Sequence, residues 1–348
     1  MKGGKIAIHE NRKLFDHSTL WGPVWRDHCE ANGIAYEMVD GYGEEFMERM
    51  EEFGVLLWHM SNYVHQDVKY ARSVLYAAKR RGLKIFPDFG DAWHFDDKVA
   101  EACALRSVGA PTPRNWAFFT EEAALEWIGR DAQYPLVSKL ASGSGAHNVK
   151  LVHHAGEARK HAKRMFRKGY SPAPGIAFKA SSQWKSAKTW ADVKRRLARL
   201  PEFLRTKASA RRFPRETDYV YFQEYVPTDG YDLKIVVVGD KLSYFCRPNR
   251  PGDFRASGGG HFYYDRELVG ADIRDSAFRT SDELGCQCMG YDYVVDRRSG
   301  RGLIVEMCFG FSHAAVLGAG GYFDRKGGWH EQPLNAPAEI LVNLVEKQ

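Results

Sequence analysis

The first third of the chain alternates short apolar runs with segments whose apolar residues recur every three or four positions. The apolar runs predict four strands, at Lys5–His9, Ala35–Val39, Gly54–Trp58 and Lys84–Pro87. The segments between them predict three helices, at Thr19–Asn32, Glu44–Glu52 and Val64–Arg81. Because strands that alternate with helices build parallel sheets, we predict an α/β domain over residues 1–95.

The pattern changes near Asp96. The stretch "DDKVAEACALRSVG" has helical spacing, begins with aspartate and ends at Gly109, and a strand, a short helix and a hairpin follow. Residues 157–215 are basic, helical in pattern and rich in loop residues, which predicts an insertion or a lid. From Asp218 onwards the alternation is typical of strands. We therefore predict a mixed α/β (α+β) chain with further units at 96–217 and 218–348.

The hairpin "YPLVSKLASGSGAHNVKLV" places Lys139 at the end of an apolar strand, directly before a tip rich in Gly and Ser. Such tips expose backbone N–H groups that bind anions, and a lysine beside them favours phosphate. The alternative is a flexible hairpin turn, in which Gly and Ser are ordinary residues. The helix-opening phosphate-loop and dinucleotide fingerprints are both absent from the sequence.

Two apolar strands flank a polar turn in "GYDYVVDRRSGRGLIVEM". A hairpin centred on Ser299 places Asp292 directly opposite Glu306, and Gly290 opposite Cys308. Two carboxylates so placed repel, so neutralising either one should leave stability unchanged or raise it. A divalent cation such as Mg²⁺ would turn the repulsion into coordination. The alternative is two exposed carboxylates on a solvated sheet face.

A polar kink interrupts the strands of "YFQEYVPTDGYDLKIVVVGD". A kink leaves backbone groups free to hydrogen-bond the edge of an adenine ring, and Asp232 just beyond it is suited to a ribose hydroxyl. The alternative is an ordinary hairpin.

Composition narrows the function classes. The 348 residues contain no run of about 18 apolar residues, no apolar signal region at the N-terminus, and six cysteines without CxxC spacing. We therefore expect a cytoplasmic protein with no transmembrane segment and no structural zinc. The net charge of +6 is concentrated between Arg159 and Arg215. This stretch is either a solvated helix face or an anion-binding surface, and since no nucleic-acid signature accompanies it, no nucleic-acid partner is expected.

The order of these motifs resembles the ATP-grasp superfamily over residues 96–312, preceded by a Rossmann-like pre-ATP-grasp domain. "HFDDKVAEACALRSVGAPTPR" is similar to the helix of its first nucleotide lysine, and "YFQEYV" to its adenine hinge. The hairpins of Lys139 and of Asp292 are similar to its phosphate loop and its metal site. "WHFDDKVA", "DFRASGGGHFYYD", "VEMCFGFS" and "GGWHEQPLN" resemble a group associated with bacterial surface-polysaccharide gene clusters.

The resemblance implies a nucleotide site. Lys98 and Lys139 would contact the phosphates of ATP. Backbone groups of Ser142, Gly143, Ser144, Gly145 and Ala146 would close over the β- and γ-phosphates. Gln223, Glu224 and Val226 would hold adenine, mainly through backbone atoms, and Asp232 the ribose.

The resemblance also implies that Asp292 and Glu306 bind Mg²⁺, with Mn²⁺ as an alternative. Arg255, and next Arg247, are the candidate catalytic residues for holding the transferring phosphoryl group and the acyl oxygen, because arginine donates to oxyanions in a planar fork. Many members have Asn two positions after the metal glutamate. Here Cys308 stands there, and a neutral thiol is a poor ligand for Mg²⁺.

The implied reaction is ADP-forming ligation: a carboxylate becomes an acylphosphate and an amine displaces phosphate to give an amide. The product would be a glycan precursor or an amino-acid-like molecule, from small acid and amine substrates such as sugar acids or amino acids. Two rivals remain, a kinase-type member that phosphorylates a hydroxyl and a nucleic-acid-binding protein. The resemblance also allows a homodimer.

Overall fold

The computed structural model describes residues 4–10, 21–62, 64–143, 148–172, 213–250, 252–255 and 261–346. Three sheets follow one another within these residues, one parallel and two antiparallel. The mixed α/β class predicted from the sequence is confirmed.

The N-terminal unit is a parallel sheet in the order β2-β1-β3-β4. Its strands are β1 (Lys5–His9), β2 (Tyr36–Val39), β3 (Phe53–Leu57) and β4 (Lys84–Phe86). Its helices are α1 (Gly22–Ala31), α2 (Glu44–Glu48), α3 (Arg72–Arg80) and α4 (Phe89–Ala92). The four strands predicted here are confirmed within one residue at each end. The long third helix departs from the prediction, because it begins with a π-helical turn at Asp67–Ala71.

The second sheet is antiparallel, in the order β5-β8-β6-β7. It comprises β5 (Asn115–Phe118), β6 (Leu136–Lys139), β7 (Lys150–Val152) and β8 (Val220–Glu224), with helices α5 (Lys98–Ser107), α6 (Glu121–Arg130) and α7 (Ala155–Arg167) nearby. Helix α5 begins at Lys98 because the carboxylate of Asp97 accepts from the N–H groups of Val99 and Ala100, each at 3.0 Å. The helix ends before Gly109, whose φ is +61°.

The described part of the basic segment includes helix α7. This helix carries several lysines and arginines and also has a buried face. Ala158, Ala162 and Met165 on that face pack into the core of the second sheet. These residues therefore belong to the sheet unit, although the predicted insertion begins at 157. The insertion or lid expected further along falls mainly on residues 173–212, which lie outside the described residues.

The third sheet has six strands in the order β12-β11-β9-β10-β13-β14. They are β9 (Tyr231–Val238), β10 (Lys241–Pro248), β11 (Cys288–Val295), β12 (Gly302–Cys308), β13 (Tyr322–Asp324) and β14 (Trp329–His330). Helices α8 (Ala271–Leu284), α9 (His313–Leu317) and α10 (Ala336–Glu346) complete this part of the chain. Along β9, Leu233, Ile235 and Val237 pack with apolar residues of α8.

The opposite face of this sheet shares a core with the N-terminal unit. Val236 and Phe245 belong to the same buried cluster as Ile8, Trp25 and the apolar residues of α10. The Trp25 ring N–H donates to the carbonyl of Pro337 at 2.8 Å, which fixes α10 against α1. The first and third sheets are thus joined through one core, whereas the second sheet has a core of its own.

In the described part of the chain, no helix is both long enough and apolar enough to span a bilayer.

Candidate active site

One face of the six-stranded sheet carries a row of charged side chains. The register pairs Phe245 with Lys234, Lys234 with Asp292, and Asp292 with Glu306, so these four residues lie side by side across four strands. The predicted pairs Asp292–Glu306 and Gly290–Cys308 are both present.

A β-bulge produces this register. Nearer the turn, Tyr293 pairs with Ile304. If that register continued, Asp292 would lie opposite Val305. The register instead shifts between Asp292 and Tyr293 and leaves Val305 as the extra residue. A plain hairpin centred on Ser299 gives the right pair without the bulge, so the sequence prediction was correct about the carboxylates and wrong about the turn.

The carboxylates are compensated by buried cations. Asp292 Oδ1 lies 2.5 Å from Lys234 Nζ and 3.0 Å from Arg247 Nη2, and the three side chains are almost fully buried. Burial alone would raise the pKa of Asp292, but Arg247 and Lys234 outweigh it and hold the pKa at about 2. The repulsion expected between Asp292 and Glu306 is therefore replaced by ion pairing at Asp292.

Arg247 and Asp232 bind each other rather than facing the cavity as separate groups. The guanidinium donates to both carboxylate oxygens of Asp232, at 2.6 and 2.9 Å, while it also contacts Asp292. The sequence assigned Asp232 to a ribose hydroxyl and Arg247 to a transferring phosphoryl group. In this structure the two side chains bind each other in a buried network that borders the cavity, and the roles assigned to them stay predictions.

Lys98 and Lys139 approach the same row from the second sheet. Lys98 Nζ lies 3.4 Å from a carboxylate oxygen of Glu306 and donates to the carbonyl of Gly143 at 2.8 Å. Burial lowers the pKa of Lys98, but the charges of Glu306, Glu101 and Asp96 raise it above the ordinary value.

Lys139 contacts the bulge. Its Nζ donates to the carbonyl of Val305 at 3.1 Å. Burial is the main reason that its pKa is lowered. The two predicted lysines thus meet at Glu306 and its neighbour, as the sequence interpretation requires.

The root of the Gly-rich loop is held by carboxylates. The N–H groups of Ala141 and Ser142 donate to Glu216 at 3.1 and 3.2 Å, and the N–H of Gly143 donates to Asp96 at 2.9 Å. The hydroxyls of Ser142 and Tyr219 also donate to Glu216.

Ser142 and Gly143 were assigned to phosphate through these N–H groups, which bind acidic side chains in this structure. The other predicted members of the loop, Ser144, Gly145 and Ala146, lie outside the described residues. The loop therefore binds anionic groups. In its described part, the backbone N–H groups donate to carboxylate side chains.

The predicted adenine hinge borders the cavity. Gln223, Glu224 and Val226 all line it, at the end of β8 and just beyond. The N–H of Arg297, in the turn of the carboxylate hairpin, donates to the carbonyl of Pro227 at 2.9 Å. This bond ties the hinge to the strands that carry Asp292 and Glu306.

Arg255 lines the cavity from the other side. Its guanidinium donates to Asp253 at 2.6–3.0 Å and to the carbonyl of Val149 at 3.2 Å. These bonds anchor Arg255 between the third sheet and the strand β7 hairpin, and leave it as a cavity-lining cation.

Three charged residues were missed by the sequence interpretation. Lys234 lies two positions after Asp232 on one strand face, so the D-x-K alternation in "YDLKIV" could have revealed it. Glu101 faces Lys98 from the next turn of α5 and accepts from the N–H of Met307 at 3.2 Å, and its pKa is raised to about 8, mainly by burial. Glu216 lies beyond a long basic stretch, and nothing local in the sequence indicates its contact with the loop.

Cys308 is a partly buried thiol near the carboxylates. Burial raises its pKa to about 12, so the neutral thiol predominates at neutral pH. In the described part of the chain, no group of three or more His, Cys, Asp or Glu side chains is arranged to hold a metal ion. The assignment of Asp292 and Glu306 as metal ligands stays a prediction.

Together these residues surround a cavity of about 640 Å³ between the second and third sheets, a volume in the usual range for small-molecule sites. The N-terminal unit closes one end through the loop of residues 59–62 that follows β3.

We expect Asp292→Asn to lower the free energy of unfolding by about 3 kcal/mol, because breaking the buried ion pair leaves Lys234 without its carboxylate partner and leaves Arg247 with Asp232 alone. The folded-state pKa of Asp292 is below that of a free carboxyl group, so its contribution is complete above about pH 4 and is lost as pH falls through about 2. Urea unfolding of both proteins between pH 7 and pH 2 measures the difference, which should shrink at the acidic end.

Glu306→Gln is the matched control, because the side chain of Glu306 is 28% exposed and its ion pair with Lys98 is 3.4 Å long. We expect a change below about 1 kcal/mol for this variant. Equal stability of Asp292→Asn and wild type at pH 7 would contradict the ion-pair network.

No protein-family model matches the sequence, and no curated protein matches it significantly. Solved structures do match the fold. D-cycloserine synthetase DcsG is 13% identical, with 99% of this chain and 100% of that chain covered and a TM-score of 0.59. D-alanine–D-alanine ligase from Bacillus anthracis, complexed with ATP, is 13% identical, with 99% of each chain covered and a TM-score of 0.54.

The ATP-grasp ligase PsnB, complexed with a phosphomimetic variant of its minimal precursor, Mg and ADP, is 12% identical, with 98% of each chain covered and a TM-score of 0.56. At such identities the likeness concerns the fold, and it extends over nearly the whole length of each protein. The chain therefore has the ATP-grasp fold, with an α/β unit preceding it.

Proposed function

We propose that this protein is an ATP-dependent, ADP-forming ligase that activates a carboxylate as an acylphosphate and joins it to an amine. The observation that carries the proposal is that Lys139, Asp292 and Glu306 line one cavity of an ATP-grasp fold, with Lys98 Nζ 3.4 Å from a carboxylate oxygen of Glu306. The similar structures described above are named as ligases or a synthetase, and one of them contains ATP and another Mg and ADP.

Asp292 and Glu306 fit a Mg²⁺ site. They lie opposite one another on a single sheet face, and carboxylate oxygens are the donors that this ion prefers. Glu306 is the more available of the two, because its ion pair is long and its side chain is partly exposed. Bound Mg²⁺ would supply charge neutralisation at the transferring phosphoryl group.

The chain's own residues supply charge and position. Lys98 and Lys139 present two ammonium groups beside Glu306, where they would bind phosphate oxygens. The hinge formed by Gln223, Glu224 and Val226 would orient the base through backbone atoms. Arg255 is the remaining candidate for the acyl or phosphoryl oxygen, while Arg247 holds Asp232 and Asp292 in place.

No protein nucleophile is needed for this chemistry, in which positioning supplies most of the rate enhancement. The partly buried thiol of Cys308 stays protonated at neutral pH, which suits a wall of the cavity better than a covalent role. The acid and amine substrates, a link to surface polysaccharides and a cytoplasmic location remain predictions from the sequence.

An isotope experiment tests the reaction. Attack by a substrate carboxylate oxygen on the γ-phosphorus releases ADP, and attack by the amine on the acyl carbon then releases phosphate that retains this oxygen. We therefore expect ¹⁸O from labelled carboxylates to enter inorganic phosphate when a pool of labelled amino acids and sugar acids is incubated with amines, ATP and Mg²⁺. ADP formed with a phosphorylated product and without free phosphate would instead favour a kinase-type enzyme.

We expect Lys98→Ala and Lys139→Ala each to abolish detectable ATP binding, since each removes a buried ammonium group from the proposed phosphate site. Calorimetric titration with ATP and Mg²⁺ measures this, and thermal unfolding checks that the variants fold. Lys150→Ala is the matched control, because Lys150 is exposed on the neighbouring strand β7. Wild-type affinity in both cavity variants would place the nucleotide elsewhere.

We expect Glu216→Ala to raise the KM for ATP about tenfold, because the carboxylate organises the loop root through Ala141 and Ser142. Steady-state ADP formation measures KM and kcat, and kcat should stay within a few-fold of wild type. Glu157→Ala removes a comparable bond between a carboxylate and the N–H of His153 on a surface helix, and should change neither value. A lower KM in Glu216→Ala would show that the carboxylate competes with phosphate for the loop.

A further inference from the structure

The cavity changes character along strand β9. The row of Asp232 and Arg247 is charged, and so is the next row, which contains Lys234 and Asp292. The third row, with Ser243, Val236, Gly290 and Cys308, contains no charged residue. Since β9 advances about 3.4 Å per residue, the change occurs within about 14 Å of the hinge end of the cavity.

Phe245 lies in the row of Lys234 and Asp292, and together with Phe262, Phe311, Met60 and Cys308 it forms an apolar wall of the cavity. The rings of Phe245 and Phe262 meet edge to face with centroids 5.0 Å apart. Phe262 is 42% exposed although it is a large apolar side chain. Phe262 also lines the cavity, so an apolar ligand could contact it there.

Gly290 allows Phe311 to reach this wall. A Cβ atom at position 290 would lie 3.0 Å from Cδ1 of Phe311, 2.9 Å from the carbonyl oxygen of Cys308 and 3.3 Å from Cδ of Lys234. The ring of Phe311 thus lies directly on the sheet beside the last charged row. The charged row therefore ends close to an aromatic side chain.

Several neutral polar groups lie beside the apolar wall, whereas the carboxylates of Asp96 and Glu101, which also line the cavity, act on Lys98. Ser61, Asn62 and Ser312 line the cavity, together with His59. Burial lowers the pKa of His59 to about 3, so its ring is uncharged at neutral pH. The lysine and arginine that border this region, Lys234 and Arg247, are both paired with Asp292.

From this arrangement we propose that the part of the substrate that extends from its reacting atoms towards the apolar wall is itself apolar. On the proposed ligase function, one substrate is then a small amino acid, or a similar acid or amine, with an alkyl or aryl side chain. A sugar acid or amino sugar presents several hydroxyl groups, and burying them against three phenylalanine side chains would leave them without partners. The wall therefore selects against the glycan substrates that the sequence interpretation included.

Matched substrates test the proposal. We expect ADP formation with Mg²⁺ and ATP to favour leucine over asparagine, and phenylalanine over histidine, by at least about tenfold in kcat/KM, the range expected for pockets that read apolar groups. Glucuronic acid and glucosamine, supplied with the same co-substrates, should give no activity above background. A higher kcat/KM for the polar member of each pair, or for the sugars, would contradict the proposed preference for apolar substrates. It would not contradict the proposed ligase function.

The variant Phe262→Ala tests whether Phe262 contributes to binding of the apolar substrate. We expect it to raise the KM for the apolar substrate about tenfold or more and to leave the KM for ATP unchanged. Phe119→Ala is the matched control, since Phe119 is 67% exposed and lies outside the cavity. A change in the KM for ATP alone, or equal effects of the two variants, would contradict the proposal.

Binding gives a readout that does not depend on turnover. Saturation-transfer NMR with the non-hydrolysable analogue AMP-PNP and Mg²⁺ should detect leucine and phenylalanine on the wild-type protein, and weaker transfer on Phe262→Ala. Equal saturation transfer to the apolar and the polar amino acid of each pair would refute the proposed preference for apolar substrates. Failure of AMP-PNP itself to bind would instead refute the proposed ligase function, so the two results are distinguishable.

Discussion

The structure depends on two positive and two negative side chains buried on one face of the six-stranded sheet. Isolated charges of this kind would be too costly to bury, so each of Lys234, Arg247, Asp232 and Asp292 must keep its partner. Their partners come from three adjacent strands, β9, β10 and β11. A slip in the register of any of these strands would separate the charges, so the network selects one arrangement of the sheet.

On the proposed function, the same network would also prepare the cavity for the reaction. Its dipoles and charges are fixed by the fold before any ligand arrives, which is the condition under which electrostatic groups act most strongly on a reaction. Lys98 and Lys139 are placed separately, on α5 and β6 of the second sheet. The cavity thus brings together one rigid face and one face from a unit with its own core, which suits a site that must admit and release substrates.

Much of this could be predicted from local patterns. Local sequence patterns predicted the parallel sheet, the Asp–Lys start of α5 and the facing carboxylates, because each of these features depends on residues close in sequence. The bulge at Val305 could not be predicted, since apolar residues on both sides of it fit either register. Glu216 and the pairing of Arg247 with Asp292 depend on contacts between segments far apart in the chain, which periodicity does not encode.

The position of α10 has a consequence for synthesis on the ribosome. The core of the N-terminal sheet includes Leu334, Ala336, Ile340 and Leu341, which are made about 300 positions after β1. When residues 1–95 first emerge, Trp25 has no Pro337 carbonyl to bind and the apolar side of α1 faces solvent. The N-terminal unit is therefore translated well before the segment that completes its packing.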